Sequence, residues 1–280
     1  MMLTSNIDSF RPIVIQIEKR HLDLMESSTL ELPIALHLMI KQTIPILCGD
    51  VSFKTTPQYI YDFMVHGVQT TSQNRTTRTN VVNALNSLSE KGLIKTDKEV
   101  TQWNTEVEID ASPLFPSKEG FYLSINSKDL STITSHYGSK STRALMTYFN
   151  ILSYINWSDV KFYREEYCKG NASLKQDMLR NPELNNDWRI SCYASMEALC
   201  SKPYLDAQPS NWISKATLSR YLHGLEELKL IKIISVSRIA KDGRTVSMNH
   251  YCLPDCEEGV EIIANRKIEQ MVHSINESIN

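Results

Sequence analysis

The chain has 280 residues, of which 41% are hydrophobic and 22% charged, with 9 glycines and 10 prolines. That mixture can bury a core and excludes a wholly disordered chain, a collagen-like fibre and a disulfide-dense miniprotein. The formal net charge is −2 and the pI about 6.4, so any nucleic-acid-binding surface must be a local patch. No segment holds 18 uninterrupted apolar residues, and no transmembrane helix is expected. The apolar run Ile13-Val14-Ile15-Gln16-Ile17 is too short for a secretory signal and is followed by Glu18-Lys19-Arg20. A cytoplasmic protein is expected. Its six cysteines (Cys48, Cys168, Cys192, Cys200, Cys252 and Cys256) then read as buried thiols rather than disulfides.

In chain order, residues 1–30 read as an N-terminal arm. Helical patterns follow at 34–43 and at 58–66, the second with Pro57 at its start. A third helix begins at Thr77, placed as an N-cap, and should stop at Gly92. Strand candidates are 94–100 and 106–109. Residues 121–125 either close that sheet or open the next domain. The stretch 111–120 holds two prolines, ends in glycine and reads as a linker. Helical patterns return at 142–156 and 193–201, separated by a polar insertion (157–192). A third helix then begins after Ser214. Beyond it, 231–239 and 245–253 flank Lys241-Asp242-Gly243-Arg244, whose Asp-Gly step marks a hairpin. The tail, 255–280, spaces Val260, Ile263, Ala264, Ile268, Met271 and Ile275 as an amphipathic helix. It serves either as a dimer element or as packing for its own domain.

The most informative feature is an internal repeat. Residues 77–95 and 214–232 superpose at an offset of 137 without a gap. Val81 falls on Leu218, Leu85 on Leu222, Leu88 on Leu225, and Leu93-Ile94-Lys95 on Leu230-Ile231-Lys232. A period this long implies two copies of a domain rather than a solenoid. Helix, helix, helix, hairpin is thus expected twice, over 31–128 and 129–254. The fold class is α+β, mainly helical with small hairpins.

The third helix starting Ser214-Lys215-Ala216-Thr217-Leu218-Ser219-Arg220, followed by the hairpin around Gly243, resembles the winged-helix (helix-turn-helix) DNA-binding superfamily. The resemblance rests on 214–253 and extends to 34–109. It implies a third helix in the major groove, a wing at 241–244 on the backbone or minor groove, and double-stranded DNA as partner. The residues support this on their own. At about 100° per residue, Leu218, Leu222 and Leu225 share one face, while Ala216, Ser219, Arg220, His223 and Glu227 lie opposite. Arg220 is suited to guanine O6 and N7; Ser214 and Lys215 sit at the helix N-terminus, where phosphate is favoured. Lys241 and Arg244 flank the wing turn. Between Ser214 and Arg244 there are seven basic residues against three acids. The first copy offers Arg75, Arg78, Thr79, Asn83 and Asn86, with a polar run at 70–77 before them; asparagine suits adenine N6 and N7.

Other readings are weaker. His250, Cys252 and Cys256 lack zinc-ligand spacing and a fourth ligand. Gly138-Ser139-Lys140-Ser141-Thr142 lacks the glycine and Gly-Lys step of a phosphate loop, and its hydroxyls read as a helix cap. No hydrolase or nuclease motif is present, so no enzyme, cofactor or metal is expected. The sequence therefore points to a sequence-specific DNA-binding protein, foremost a transcription regulator. A plasmid or phage replication initiator is the alternative, and a protein-docking winged-helix module the third class.

Overall fold

A computed structural model of the chain describes residues 13–48, 51–65, 75–116, 122–154, 191–200, 213–254 and 257–278. The chain is mixed α+β and divides into two compact units, Met1–Met146 and Thr147–Asn280. The expected loop at 70–74 and most of the insertion, 157–190, lie outside the described residues, as does Cys256.

The first unit opens with β1 (Val14–Glu18) and α1 (Lys19–Leu24), followed by α2 (Glu31–Cys48). Leu32, Ile34, Ala35, Leu36, Leu38 and Met39 are wholly buried, because apolar residues fall on most sides of the first turns of α2 and must be enclosed. After β2 (Phe53–Thr55), Thr56 caps α3 (Pro57–Met64), and Pro57 occupies the first turn, where no hydrogen bond is lost. Next come α4 (Arg75–Glu90), β3 (Lys95–Thr96) and β4 (Val107–Asp110). Helix α2 packs against α3 and α4. A half-buried ion pair closes its start: Lys91 Nζ lies 2.7 Å from Glu31 Oε1, which also accepts from Ser87 Oγ at 2.5 Å.

The N-terminal arm and the linker of the sequence reading both belong to this unit. β1 pairs antiparallel with β5 (Tyr122–Asn126), burying Ile15, Ile17, Leu123 and Ile125. Residues 122–126 therefore neither extend the β2–β4–β3 sheet nor open the second unit. Within the expected linker, Ala111 and Leu114 are wholly buried and Ser112–Leu114 forms a 3-10 turn against α2. The backbone N–H of Ala111 donates to Gln42 Oε1 at 2.9 Å. Helix α5 (Ser127–Tyr137) follows, and the division between units falls inside α6 (Ser141–Tyr154). The Thr142 hydroxyl does not cap α6; it donates to the carbonyl of Thr29.

In the second unit β6 (Ser191–Tyr193) precedes α7 (Met196–Cys200), so the helix expected from 193 starts three residues later. Then come α8 (Lys215–Glu227), the long hairpin β7 (Lys232–Ile239) and β8 (Thr245–Cys252), and α9 (Glu257–Glu277). The amphipathic tail packs on its own unit: Ala264 and Ile268 close over Val236 and Met248, and Val260 meets Cys252.

The repeat extends beyond the leucine stripe. The sheets run β2–β4–β3 and β6–β8–β7, with the last strand central in each. Thr56 Oγ1 accepts from Tyr59 N at 3.1 Å, and Ser195 Oγ accepts from Ala198 N at 3.1 Å, starting α3 and α7 alike. At the ends of α4 and α8 three terminating hydrogen bonds recur at the 137-residue offset. Leu93 N donates to Leu88 O and Leu230 N to Leu225 O; Gly92 N to Ser89 O and Lys229 N to Glu226 O; Lys91 N to Ser87 O and Leu228 N to Gly224 O. Gly92 (φ +69°) and Lys229 (φ +56°) both take the left-handed conformation this ending requires, although only one is glycine.

Candidate nucleic-acid interface

The shared ending puts α4 and α8 in one register, so their outer faces compare residue by residue. Val81, Ala84, Leu85 and Leu88 are buried on α4; Leu218, Tyr221, Leu222 and Leu225 are buried on α8. About half a turn from each stripe stands Asn83 on α4 and Arg220 on α8, both exposed. Thr79 corresponds to Ala216, Asn86 to His223 and Glu90 to Glu227. The residues flanking the central position toward the N-terminus are small, leaving room for close approach. Glu90 and Glu227 place a carboxylate at the C-terminal end of each helix, where phosphate is disfavoured.

On α8, Ser214 caps the helix by accepting from Thr217 N at 3.3 Å. The Thr217 hydroxyl in turn accepts from Arg220 Nη2 at 3.2 Å, holding the guanidinium over the first turn. Ser219 is half-buried and His223 is exposed, its Nδ1 3.8 Å from Glu226 Oε2. Lys215 is exposed but paired with Glu197 of α7. That pairing holds the Glu197 carboxyl below its usual range and raises the Lys215 ammonium, each chiefly through their hydrogen bond.

On α4 the expected start needs correction. The helix is in progress at Arg75, so Thr77 lies inside it and is not the N-cap. Arg75, Arg78, Thr79 and Asn83 are exposed, and among the described residues no carboxylate pairs with either arginine. Thr79 Oγ1 donates to Arg75 O at 3.0 Å. The Arg78 guanidinium lies 5.8 Å from the centroid of Trp103. Asn86, expected on the open face, is half-buried and bonded inward. Its Nδ2 donates to Val100 O at 2.8 Å and its Oδ1 accepts from Val100 N at 3.0 Å. An amide whose donor and acceptor are both engaged by the backbone of one residue has no edge left for a base.

The two hairpins differ more than the helices. In the first, β3 ends at Thr96 rather than running to 100, because Asp97 Oδ1 takes the Glu108 N–H and Val100 turns into the core. The connection folds back through Trp103, which packs on Tyr61 and accepts from Gln58 N at its carbonyl. In the second, Lys241-Asp242-Gly243 forms the tip: Gly243 (φ +82°) donates to Ala240 O, and Ala240 N donates to Arg244 O. Lys241 and Arg244 are exposed, with the Arg244 side chain paired to Asp242. That pairing lowers the Asp242 carboxyl, first through the Arg244 backbone N–H.

One face of the second hairpin lies under α9, where Arg238 Nη2 donates to Asn265 Oδ1 at 2.8 Å. The opposite face presents Ser235, Ser237, Ile239, Thr245 and Ser247 to solvent. The hydroxyls of Ser235, Ser237, Thr245 and Ser247 are suited to phosphate and sugar contacts and were missed in the sequence reading. The alternation Ile234-Ser235-Val236-Ser237 was the signal that could have found them.

His250 and Cys252 are buried on the α9 side of β8. Burial pushes the His250 imidazole down to about 4, with the nearby Lys267 acting in the same direction. Among the described residues no group of three potential metal ligands converges, and no helix is long and apolar enough to cross a membrane. No protein-family model matches the chain, and no curated protein and no solved structure matches it.

Proposed function

We propose that the chain is a sequence-specific duplex-DNA-binding protein built from two winged-helix units, each laying its third helix (α4 or α8) in a major groove. The observation that carries this reading is the repetition of one arrangement twice. In each unit a capped short helix precedes a third helix whose apolar stripe is buried. The outer face of that helix carries a hydrogen-bonding side chain at its centre and small neighbours toward its N-terminus. Arg75, Arg78, Thr79 and Asn83 form the contact set of the first unit. Ser214, Ser219, Arg220, His223, Lys241 and Arg244 form that of the second, with Arg244 first having to leave Asp242, and Lys215 stands beside them held back by Glu197. Two readers on one chain make the second contact intramolecular, so modest affinities multiply.

As a transcription regulator the protein acts by occupying its site. The joining of two readers in one chain favours a second reading, initiation of plasmid or phage replication, because a single copy then addresses a directional repeat without a partner subunit. Mobility shifts on the upstream DNA of its own gene, across a salt series, test the common core. Specific binding should weaken with a slope near −0.9 per phosphate contacted. A flat response would instead favour a protein-docking role. A reporter assay and a plasmid-maintenance assay on the bound fragment then separate regulator from initiator.

A further inference from the structure

The shared register of α4 and α8 has a consequence for what each helix reads. Asn83 stands nine residues before Gly92 and Arg220 nine before Lys229, and both anchors hold the same left-handed conformation. Both side chains therefore leave their helices at the same angle to the buried stripe. Resting on the DNA-binding reading above, we infer that the two units address the same position of their respective half-sites with opposite preferences, adenine for Asn83 and guanine for Arg220.

The chemistry follows from the side chains. An asparagine amide offers one donor and one acceptor, which match adenine N6 and N7; a guanidinium offers two donors, which match guanine O6 and N7. Neither can satisfy the other's base without leaving an edge unpaired. Arg220 is further steered by Thr217, so its fork is partly oriented before DNA arrives. The neighbours Thr79 and Ala216 are small enough to admit a base edge at both positions. The site on DNA is then two unlike half-sites, and that inequality fixes which way the chain lies along the duplex.

The test is selection from a randomised duplex library with the full-length wild-type chain, with Asn83→Arg and with Arg220→Asn. Both positions are exposed, and circular dichroism with thermal melting confirms that each variant is folded. The expected result is a two-part site with adenine at one position and guanine at its counterpart. Asn83→Arg should convert the first to guanine and Arg220→Asn the second to adenine. Each switch should change the preference about tenfold to a hundredfold, measured by competition with the two defined duplexes. Two identical half-sites, or variants that weaken every duplex equally, would overturn this assignment while leaving DNA binding intact. A wild-type chain that enriches no sequence would overturn both the assignment and the reading beneath it.

Discussion

The outer faces of the two units carry charge in opposite ways. On α4, Arg75 and Arg78 have no carboxylate partner among the described residues, and Trp103 lies against one of them. In the second unit the count of cations is higher, yet most are held. Lys215 is paired with Glu197, Arg244 with Asp242, Lys232 lies 3.9 Å from Glu226 and Arg238 lies 3.9 Å from Glu269. Arg220, Lys229 and Lys241 remain outward without an acid among the described residues. A surplus of basic residues in a sequence window is thus not a surplus of available charge. The hairpins differ in the reverse sense. The first is short and folded onto its own helices, while the second projects as two eight-residue strands backed by α9. The first unit offers charge through its helix; the second offers shape through its hairpin.

The largest test of that contrast removes the backing. Ile268 is wholly buried between α9 and the hairpin, so Ile268→Ala should cost about 2–5 kcal/mol. Hydrogen exchange should show the loss in β7 and β8, with α4 and α2 protected as before. Loss of protection in α4 would show that the units do not stand on separate cores.

His250 gives the second unit a pH dependence. Its folded-state pKa is about 4, below the ordinary 6.5. Between those values the unfolded chain binds a proton that the folded chain does not. The stabilisation is complete above about pH 6.5 and is lost as pH falls toward 4, by up to ~3 kcal/mol. Denaturant titrations from pH 7.5 to 4.5 should show this slope, and His250→Gln should flatten it. An unchanged slope would assign the effect to another group.

Asn86 separates a structural amide from a reading one. Asn86→Ala strips Val100 of both its bonds and should destabilise the first unit by about 1–3 kcal/mol. Sequence preference on DNA should not move. If preference changes while stability holds, Asn86 faces the groove after all.

At the interface itself, Arg220→Ala should weaken the specific site by about 1–3 kcal/mol and relax preference at one base pair. Lys241→Ala should weaken all duplexes alike and reduce the salt slope by about 0.9. Mobility shifts on specific and scrambled duplexes distinguish the two. Equal behaviour of the two variants would remove the distinction between a reading helix and a gripping wing.

What the sequence made legible was local. The stripe from Leu218 to Leu225, the cap at Ser214 and the glycine at the hairpin tip each depend on neighbours a few residues away. What it hid was non-local. Ile15 opposite Ile125, Ile268 over Val236 and Glu197 against Lys215 join residues that no periodicity relates. The same is true of Asn86. Its helical position is outward by projection, but a peptide fourteen residues away turns its amide inward. The proline-containing stretch misled for a related reason: its two prolines and closing glycine read as a linker, and only α2 shows why Ala111 and Leu114 are buried.

The smallest effect is the sharpest test of the charge argument. Glu197 and Lys215 are both exposed, so the pair contributes little to folding. What it does is occupy a cation at the N-terminus of α8, where phosphate is otherwise favoured. Glu197→Gln keeps the shape and removes the competing carboxylate. Lys215 is then available to neutralise one phosphate, and the salt slope for DNA binding should steepen by about 0.9 with melting unchanged. The double variant Glu197→Gln, Lys215→Gln should return the slope to its starting value. A slope that Glu197→Gln leaves unmoved would mean that DNA already displaces the carboxylate, and the second unit would then present its full count of cations.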